Sequence, residues 1–182
     1  MTEEIESLKR VVQGLEIGGF EYMLTGSMAM SFYFTPRMTR DSDIVVILSA
    51  EDSGKFVNLF SEEYFVDEYA VRESLEKNLI FNMFDKKSFF KIDFIIKQDD
   101  EYENLKFERK NKLRIDGLEI YVISIEDLII SKLIWAMDSQ SETQLNDIRN
   151  LMKNKIDLQY LNSQISNLNL KEIYNIIHRA NE

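Results

Sequence analysis

Apolar residues near the N-terminus recur with the period of an α-helix. Between Ile5 and Leu15 they return mostly every three residues, and Gly18 and Gly19 follow. This spacing gathers the apolar residues on one side of a helix, and glycine is common where a helix ends. The segment therefore predicts an N-terminal amphipathic helix that ends at these glycines.

Shorter apolar runs farther along the chain predict β-strands. The first two strands are expected near residues 21–25 and 43–48, and helices near 27–34 and 51–61. Two later pairs of runs are each joined by a short polar turn, which is typical of a β-hairpin. The first hairpin joins 78–84 to 88–97, and the second joins 106–115 to 118–123 across Asp116 and Gly117.

After Ser124 the pattern is helical. Ser124 and Asp127 have the spacing of a capping box, and a last helix is expected over 169–178. The chain therefore predicts an α/β (α+β) fold with a C-terminal helical region. The softest division falls near Ser124, which gives a core of residues 1–123 and a helical subdomain of 124–182, or one single domain of 1–182.

A glycine–serine turn and a pair of aspartates carry candidate chemistry. Gly26 and Ser27 lie between a predicted strand and a predicted helix, where backbone N–H groups and the helix dipole suit phosphate. Asp41 and Asp43 open the next strand, so both side chains point the same way with Cα atoms roughly 6.5 to 7 Å apart. That spacing can hold a divalent metal. A turn or helix-cap role is the alternative for the two aspartates.

Asp93 lies inside the apolar stretch 89–96. A lone buried carboxylate there would cost several kcal/mol unless it were paired or bound to a metal. Asp93 is therefore a candidate third ligand, since Mg²⁺ prefers carboxylate and phosphate oxygens, and a candidate proton acceptor for a reacting hydroxyl. The alternative is an edge position in which Asp93 faces solvent.

Composition narrows the class of protein. The chain has 182 residues with 45% hydrophobic and 12% aromatic content, enough for one well-buried domain. It has no cysteine, so disulfides and thiolate metal sites are excluded. The acidic first residues do not resemble a signal peptide, and no apolar run reaches the roughly 18 residues that a membrane span needs. We therefore expect a cytoplasmic protein without a membrane partner.

The net charge of −10 weighs against broad attraction to nucleic acid. One basic segment is nevertheless present, and its last three cations alternate along a predicted strand. The simpler interpretation is an edge strand protected by charge, and the alternative is a surface that meets a polyanionic acceptor. The basic segment comprises Lys106, Arg109, Lys110, Lys112 and Arg114.

The order of these motifs resembles that of the nucleotidyltransferase superfamily. In addition, from about residue 10 to about residue 178, the chain is similar to small bacterial proteins grouped with AbiEii-type toxins of type IV toxin–antitoxin systems. The matching pieces are Gly26-Ser27, Arg37, Thr39, Asp41, Asp43, Phe81-Asn82, Lys91-Ile-Asp93, the run from Ser124 to Lys132, Ser141-Glu142 and Asp147-Ile148.

Lys132 stands in an unusually apolar helical setting. A paired carboxylate or a bound phosphate would explain an ammonium there, and snorkelling of its stem is the alternative. The resemblance implies that Lys132 lies near a triphosphate, and Asp147 on the following helix could orient it. Arg37 and Thr39, ahead of the two aspartates, are expected to position that loop or to touch phosphate. Trp135 is expected in the core.

The resemblance implies the nucleotidyltransferase fold, with a mixed β-sheet flanked by helices, and the activity of a metal-dependent nucleotidyltransferase. Such an enzyme transfers a nucleoside monophosphate from an NTP, with Mg²⁺ or Mn²⁺, to an acceptor hydroxyl or phosphate. For a toxin-like protein, RNA is the expected acceptor and a cognate antitoxin the expected partner. The stretch between Lys132 and Arg149 carries less positive charge than the family pattern. A non-catalytic nucleotide-binding or regulatory, antitoxin-type module on the same fold is therefore the alternative.

Overall fold

Strands and helices alternate through the first two thirds of the chain, and the last third is helical. The computed structural model describes residues 3–34, 39, 41–115, 117–139 and 141–179. The strands are β1 Tyr22–Thr25, β2 Asp41–Val46, β3 Tyr64–Phe65, β4 Ile80–Asp85, β5 Lys91–Ile96, β6 Asn111–Ile115 and β7 Leu118–Val122. The helices are α1 Glu3–Gly18, α2 Gly26–Met30, α3 Ser53–Phe60, α4 Glu68–Lys77, α5 Glu101–Glu108, α6 Ile125–Ser139, α7 Glu142–Leu151, α8 Leu158–Asn167 and α9 Lys171–Arg179.

The strands form one mixed sheet in the order β3-β4-β5-β2-β1-β7-β6. β2 runs parallel to β5, and β1 runs parallel to β7, whereas the other neighbours are antiparallel. Parallel neighbours need long crossover connections, and the chain between β2 and β5 supplies α3, α4 and the β3–β4 pair. The predicted mixed sheet flanked by helices is confirmed.

One face of the sheet is covered by an aromatic core. Phe56 of α3 packs edge-on against Phe81 of β4 and Phe94 of β5, with ring centroids 5.3 and 5.0 Å apart. Side chains alternate along a strand, so Asn82 and Asp93, which follow Phe81 and precede Phe94, point to the opposite face. The aromatic core therefore lies on the face of β4 and β5 opposite to Asn82 and Asp93.

A buried carboxylate joins the sheet region to the C-terminal helices. Asp127 of α6 is fully buried and accepts hydrogen bonds from Ser124 Oγ at 2.6 Å and Tyr160 OH at 2.6 Å. Arg109, just after α5, donates to the same carboxylate at 3.2 Å and lies 3.6 Å from the centre of the Tyr160 ring. Ser124 Oγ also accepts from the Asp127 backbone N–H at 3.1 Å, so the predicted cap at Ser124 is present.

The predicted elements are mostly confirmed. α1, the strand near 21–25, the first hairpin and the helical last third agree with the observed bounds, and β2 begins earlier than predicted, at Asp41. The strand predicted over 106–115 is partly wrong, because its first residues belong to α5. Asp100 caps that helix by accepting from the backbone N–H of Glu103 at 2.8 Å. Among the described residues, no helix is long and apolar enough to cross a membrane.

Candidate active site

Two aspartates from neighbouring parallel strands lie side by side. In the register of β2 and β5, Asp43 is aligned with Asp93, and Asp41 with Lys91. On the other side of β2, Asp43 is aligned with Thr25, the last residue of β1. Aligned residues point to the same face of a sheet, so the acids of two strands meet beside the start of α2.

Gly26 makes close approach to Asp43 possible. It has φ of +66°, in the left-handed region that favours glycine, and a Cβ atom built on it would lie 1.9 Å from Asp43 Oδ2. An alanine could not occupy this position without displacing the carboxylate. The glycine of the predicted Gly26-Ser27 turn therefore serves two purposes, since it turns the chain from β1 into α2 and leaves room for Asp43.

The environment of Asp43 disfavours its negative charge. Burial, followed by the charges of Asp41 and Asp93, raises the pKa of its carboxyl, and although Lys91 and Lys132 oppose the shift, the pKa reaches about 6. An ordinary aspartate has a pKa near 3.9. A cation placed beside these three acids would relieve the repulsion that the fold imposes on them.

The Asp93 carboxylate is buried, and hydrogen bonds within the described part of the chain reach only one of its oxygens. Lys91 Nζ donates to Asp93 Oδ2 at 2.8 Å, whereas Asp93 Oδ1 is buried and has no hydrogen-bond partner among the described residues. The alternative of a solvent-facing edge position for Asp93 is wrong, because β5 lies between β2 and β4. On β2, Thr39 Oγ1 donates to Asp41 Oδ1 at 2.9 Å.

The three aspartates fit a divalent cation by their chemistry. Carboxylate oxygens are the ligands that Mg²⁺ and Mn²⁺ prefer, and the orphaned Oδ1 of Asp93 is an acceptor that a ligand would satisfy. Within the part of the chain that is described, no three His, Cys, Asp or Glu side chains converge closely enough to hold an ion as they stand. Thr39 and Lys91 instead engage one oxygen each of Asp41 and Asp93.

Lys132 is buried in an ion pair. Its Nζ donates to Asp147 Oδ2 of α7 at 2.7 Å and to Gln144 Oε1 at 3.1 Å. Both charged side chains are about 95% buried, which explains an ammonium in an apolar helix without snorkelling. The structure thus brings Asp147 against Lys132, as the sequence suggested for an orienting carboxylate.

Five of the predicted site residues, taken from both parts of the chain, line one cleft. The cleft has a volume of about 400 Å³. Asp93 and Asp147 are outside this lining, next to Asp43 and Lys132 respectively. Arg37 lies outside the described residues. The predicted residues that line the cleft are Gly26, Ser27, Asp41, Asp43 and Lys132.

The basic segment does not offer a row of unpaired cations. β6, which carries Lys112 and Arg114, is an edge strand of the sheet, as the simpler interpretation expected. Each cation of the segment contacts a carboxylate, and Lys106 is itself buried. The pairs are Lys106 with Glu103, Arg109 with Glu126 and Asp127, Lys110 with Glu21, and Lys112 and Arg114 with Glu119.

Sequence patterns assigned no role in the site to three residues that lie near it. Lys91 was noted only as part of a motif, although a lysine two residues before an aspartate on a strand shares its face. Gln144 gave no signal, because its contact with Lys132 depends on how α7 packs against α6. Trp135 was expected in the core, and this is wrong, since it is 65% exposed and lines the cleft.

With this geometry in view, sequence comparison identifies the family. The family model described as "Nucleotidyl transferase of unknown function" (DUF2204) matches residues 90–182, just over half of the chain. No curated protein matches the chain. The matched part includes Asp93, Lys132 and Asp147, whereas Gly26, Asp41 and Asp43 precede it.

Solved structures share the fold at low identity. An antigenic nucleotidyltransferase-like protein from Paracoccidioides brasiliensis has a TM-score of 0.63 at 15% identity, over 97% of this chain and 93% of that one. A putative nucleotidyltransferase from Thermotoga maritima has a TM-score of 0.52 at 18% identity, over 78% and 89% of the two chains. A lincosamide antibiotic adenylyltransferase with bound lincomycin has a TM-score of 0.55 at 16% identity, over 84% and 97%. These likenesses bear on the fold alone, and the AbiEii-type resemblance stays a prediction.

Proposed function

Because the chain belongs to a family of nucleotidyl transferases, we propose that it transfers a nucleoside monophosphate from an NTP to an acceptor hydroxyl or phosphate. The observation that carries this proposal is the alignment of Asp43 with Asp93 beside Gly26, in a cleft that Lys132 also lines. Acids, a glycine turn and a lysine in one cleft are what a reaction at a triphosphate requires.

Asp41, Asp43 and Asp93 would hold Mg²⁺ or Mn²⁺ together with phosphate oxygens of the NTP. When bound, such an ion neutralises charge at the reacting phosphate and helps to align the acceptor. The support is the oxygen donor set, the raised pKa of Asp43 and the orphaned Oδ1 of Asp93. Because Lys91 donates a hydrogen bond to Asp93, this bond must break to free one carboxylate oxygen when the metal and the NTP bind.

The chain's own residues then have separate tasks. Gly26, Ser27 and Lys132 bind the triphosphate, and Asp147 positions Lys132. Arg37 and Thr39 keep the roles expected from the sequence, positioning the loop before β2 or touching phosphate.

Asp93 receives the proton of the acceptor hydroxyl. The hydroxyl oxygen forms a bond to the α-phosphorus, the bond from that phosphorus to the β-phosphate oxygen breaks, and pyrophosphate leaves. Since Oδ1 of Asp93 would hold the ion, Oδ2 is the oxygen that takes this proton once Lys91 releases it.

The resemblance and the charge distribution point to different acceptors. The resemblance to AbiEii-type toxins implies RNA, together with a cognate antitoxin. The paired cations of the basic segment give that choice little electrostatic support, because phosphate binding needs available Lys and Arg. We retain RNA as the acceptor to test first, with protein and small hydroxylated molecules as the competing classes.

Calorimetry and a labelling assay test the proposal. We expect wild-type protein to bind an NTP more tightly with Mg²⁺ or Mn²⁺ than without, and Asp43→Ala to lose this metal dependence. The matched control is Glu51→Ala, an exposed acid outside the cleft. Equal NTP binding by wild type and Asp43→Ala, with and without metal, would overturn the proposal.

The labelling assay uses α-labelled NTPs with total RNA, cell protein or small-molecule extract. Transfer of label to any of these, with release of pyrophosphate, supports the enzyme. Label that appears only on protein or on small molecules refutes RNA as the acceptor and leaves the proposed transferase activity intact. Metal-dependent NTP binding without transfer to any class favours the non-catalytic nucleotide-binding module.

A further inference from the structure

Trp135 is the only tryptophan of the chain, and most of its surface faces solvent. It is 65% exposed, although an indole buries more apolar area than most side chains when it packs in a core. It lies on α6 one turn after Lys132, and both side chains line the same cleft. The exposed indole therefore lies beside the proposed phosphate site rather than on an unrelated surface.

The sheet supplies a second apolar wall to this cleft. Val45 is aligned with Ile95, and Ile95 with Ile80, so the three form a row across β2, β5 and β4. This row runs beside the polar row of Asp43, Asp93 and Asn82, two residues along each strand. Val45, Ile80 and Ile95 all line the cleft with Trp135, and Ile80 is 54% exposed.

The lining of the cleft thus includes a charged group and an apolar group of side chains. The charged group is Asp41, Asp43 and Lys132 with Ser27, the apolar group is Trp135 with the Val45–Ile95–Ile80 row, and Asn78, Gln98 and the Glu103–Lys106 ion pair also line the cleft. A nucleoside triphosphate has groups that match the first two, with phosphates at one end and a flat, weakly polar base at the other.

We infer that Trp135 is the nucleobase platform of this protein, on which the base of the bound NTP stacks while its phosphates reach Lys132 and Gly26-Ser27. This inference rests on the proposed function. Lys132 and Trp135 project from one rigid helix, so their relative placement suits the two ends of a single molecule better than two separate substrates. Stacking uses the face of a base and not its edge, so Trp135 accepts any base and favours the larger purines.

Intrinsic fluorescence tests the inference directly, because every tryptophan signal comes from Trp135. We expect ATP with Mg²⁺ to quench this emission saturably, with the same Kd that calorimetry gives. By calorimetry, Trp135→Ala should weaken ATP binding about tenfold, whereas Trp135→Phe keeps most of the affinity. Inorganic tripolyphosphate, which has no base, should bind wild type and Trp135→Ala equally.

Phe89→Ala is the matched control, because Phe89 is 69% exposed and lies outside the cleft. It should leave ATP affinity unchanged, and thermal melts should show that all variants are folded. Unchanged ATP affinity in Trp135→Ala, or an equal loss for ATP and tripolyphosphate, would overturn the inference while leaving the proposed function intact. If wild-type protein binds no NTP by calorimetry, the proposed function itself fails, and the inference fails with it.

Discussion

Replacing Asp43 by asparagine should stabilise the metal-free protein at neutral pH. Asp43 stands among like charges, next to Asp41 on its own strand and aligned with Asp93 on β5. Asparagine keeps the shape of the side chain and removes its charge, so the cost of burying that charge and the repulsion from Asp41 and Asp93 both disappear, while packing beside Gly26 is preserved. A gain in stability from altering a candidate catalytic residue is the sign of a site arranged for a ligand rather than for the fold.

The magnitude follows from the pKa of Asp43. Raising one carboxyl from 3.8 to about 6 on folding corresponds to about 3 kcal/mol against the ionised folded state. Asp43 is only partly buried, and solvent screening reduces this value, so we expect a gain of about 1–2 kcal/mol, or about 2–8 °C in Tm for a chain of this size.

The pH dependence has a definite sign. The folded state holds its proton more tightly than the unfolded chain, so ionised Asp43 destabilises the fold fully above pH 6. Below the unfolded pKa of 3.8 the carboxyl is neutral in both states and contributes nothing. The advantage of Asp43→Asn should therefore be largest near pH 7.5 and should shrink as the pH falls from 6 toward 4.

Asp85 is the matched control, because it is a strand aspartate of the same sheet and is buried more deeply than Asp43. Burial alone would raise the pKa of Asp85, but hydrogen bonds from Ser7 and from the backbone N–H groups of Lys87 and Ser88, together with the charge of Arg10, outweigh it and lower the pKa. Asp85→Asn should therefore lose stability at pH 7.5, in the opposite direction to Asp43→Asn.

Urea unfolding of the metal-free proteins at several pH values between 4 and 8 measures both effects. Mg²⁺ with an NTP should then raise the Tm of wild type and leave that of Asp43→Asn nearly unchanged. If Asp43→Asn is destabilised at pH 7.5 to the same degree as Asp85→Asn, Asp43 is a structural residue, and the reasoning about like charges is wrong.

Two further substitutions probe the same site. Gly26→Ala should lower the free energy of unfolding by about 2 kcal/mol or more and abolish metal-dependent NTP binding, because the new Cβ would collide with Asp43. Gly117 is the control, because it has φ of +84° but no described atom beyond its two chain neighbours lies within 4 Å of the added Cβ. Gly117→Ala should lose only about 1 kcal/mol in urea unfolding and keep NTP binding. Lys91→Gln should raise Mn²⁺ affinity without NTP by about tenfold in an EPR titration, because it removes the cation that competes for Asp93. Unchanged or weaker Mn²⁺ binding would count against this role of Lys91.

Sequence patterns predicted the acids of the site but not how they meet. Strand alternation placed Asp41 and Asp43 on one face, and the apolar surroundings of Asp93 marked it as unusual. The alignment of Asp43 with Asp93 depends on parallel pairing across a long connection, and no local pattern encodes that register. The contact of Gly26 with Asp43 could not be predicted either, because it also depends on how the strands pair.

Two errors have identifiable physical causes. α6 is apolar on nearly all sides around Lys132, so its periodicity could not tell which apolar side chain stays exposed, and Trp135 was assigned to the core. In the basic segment, alternating cations suggested a long strand, although the helix cap at Asp100 was present in the sequence. The carboxylate partners of these cations come largely from elsewhere in the chain, such as Glu126 for Arg109. They therefore cannot be predicted from the sequence of the segment itself.

The division near Ser124 marks a change of secondary structure more than a boundary of function. The cleft takes Gly26 and Asp43 from the first part of the chain and Lys132 from the second. Asp127, fully buried just after the division, binds Arg109 from before it and Tyr160 from α8. Separating the parts would leave that carboxylate without its cation, which costs several kcal/mol for a buried charge. We therefore propose that residues 1–123 and 124–182 act as one cooperative unit, because neither part alone contains both the acids and the lysine that the reaction at a triphosphate requires.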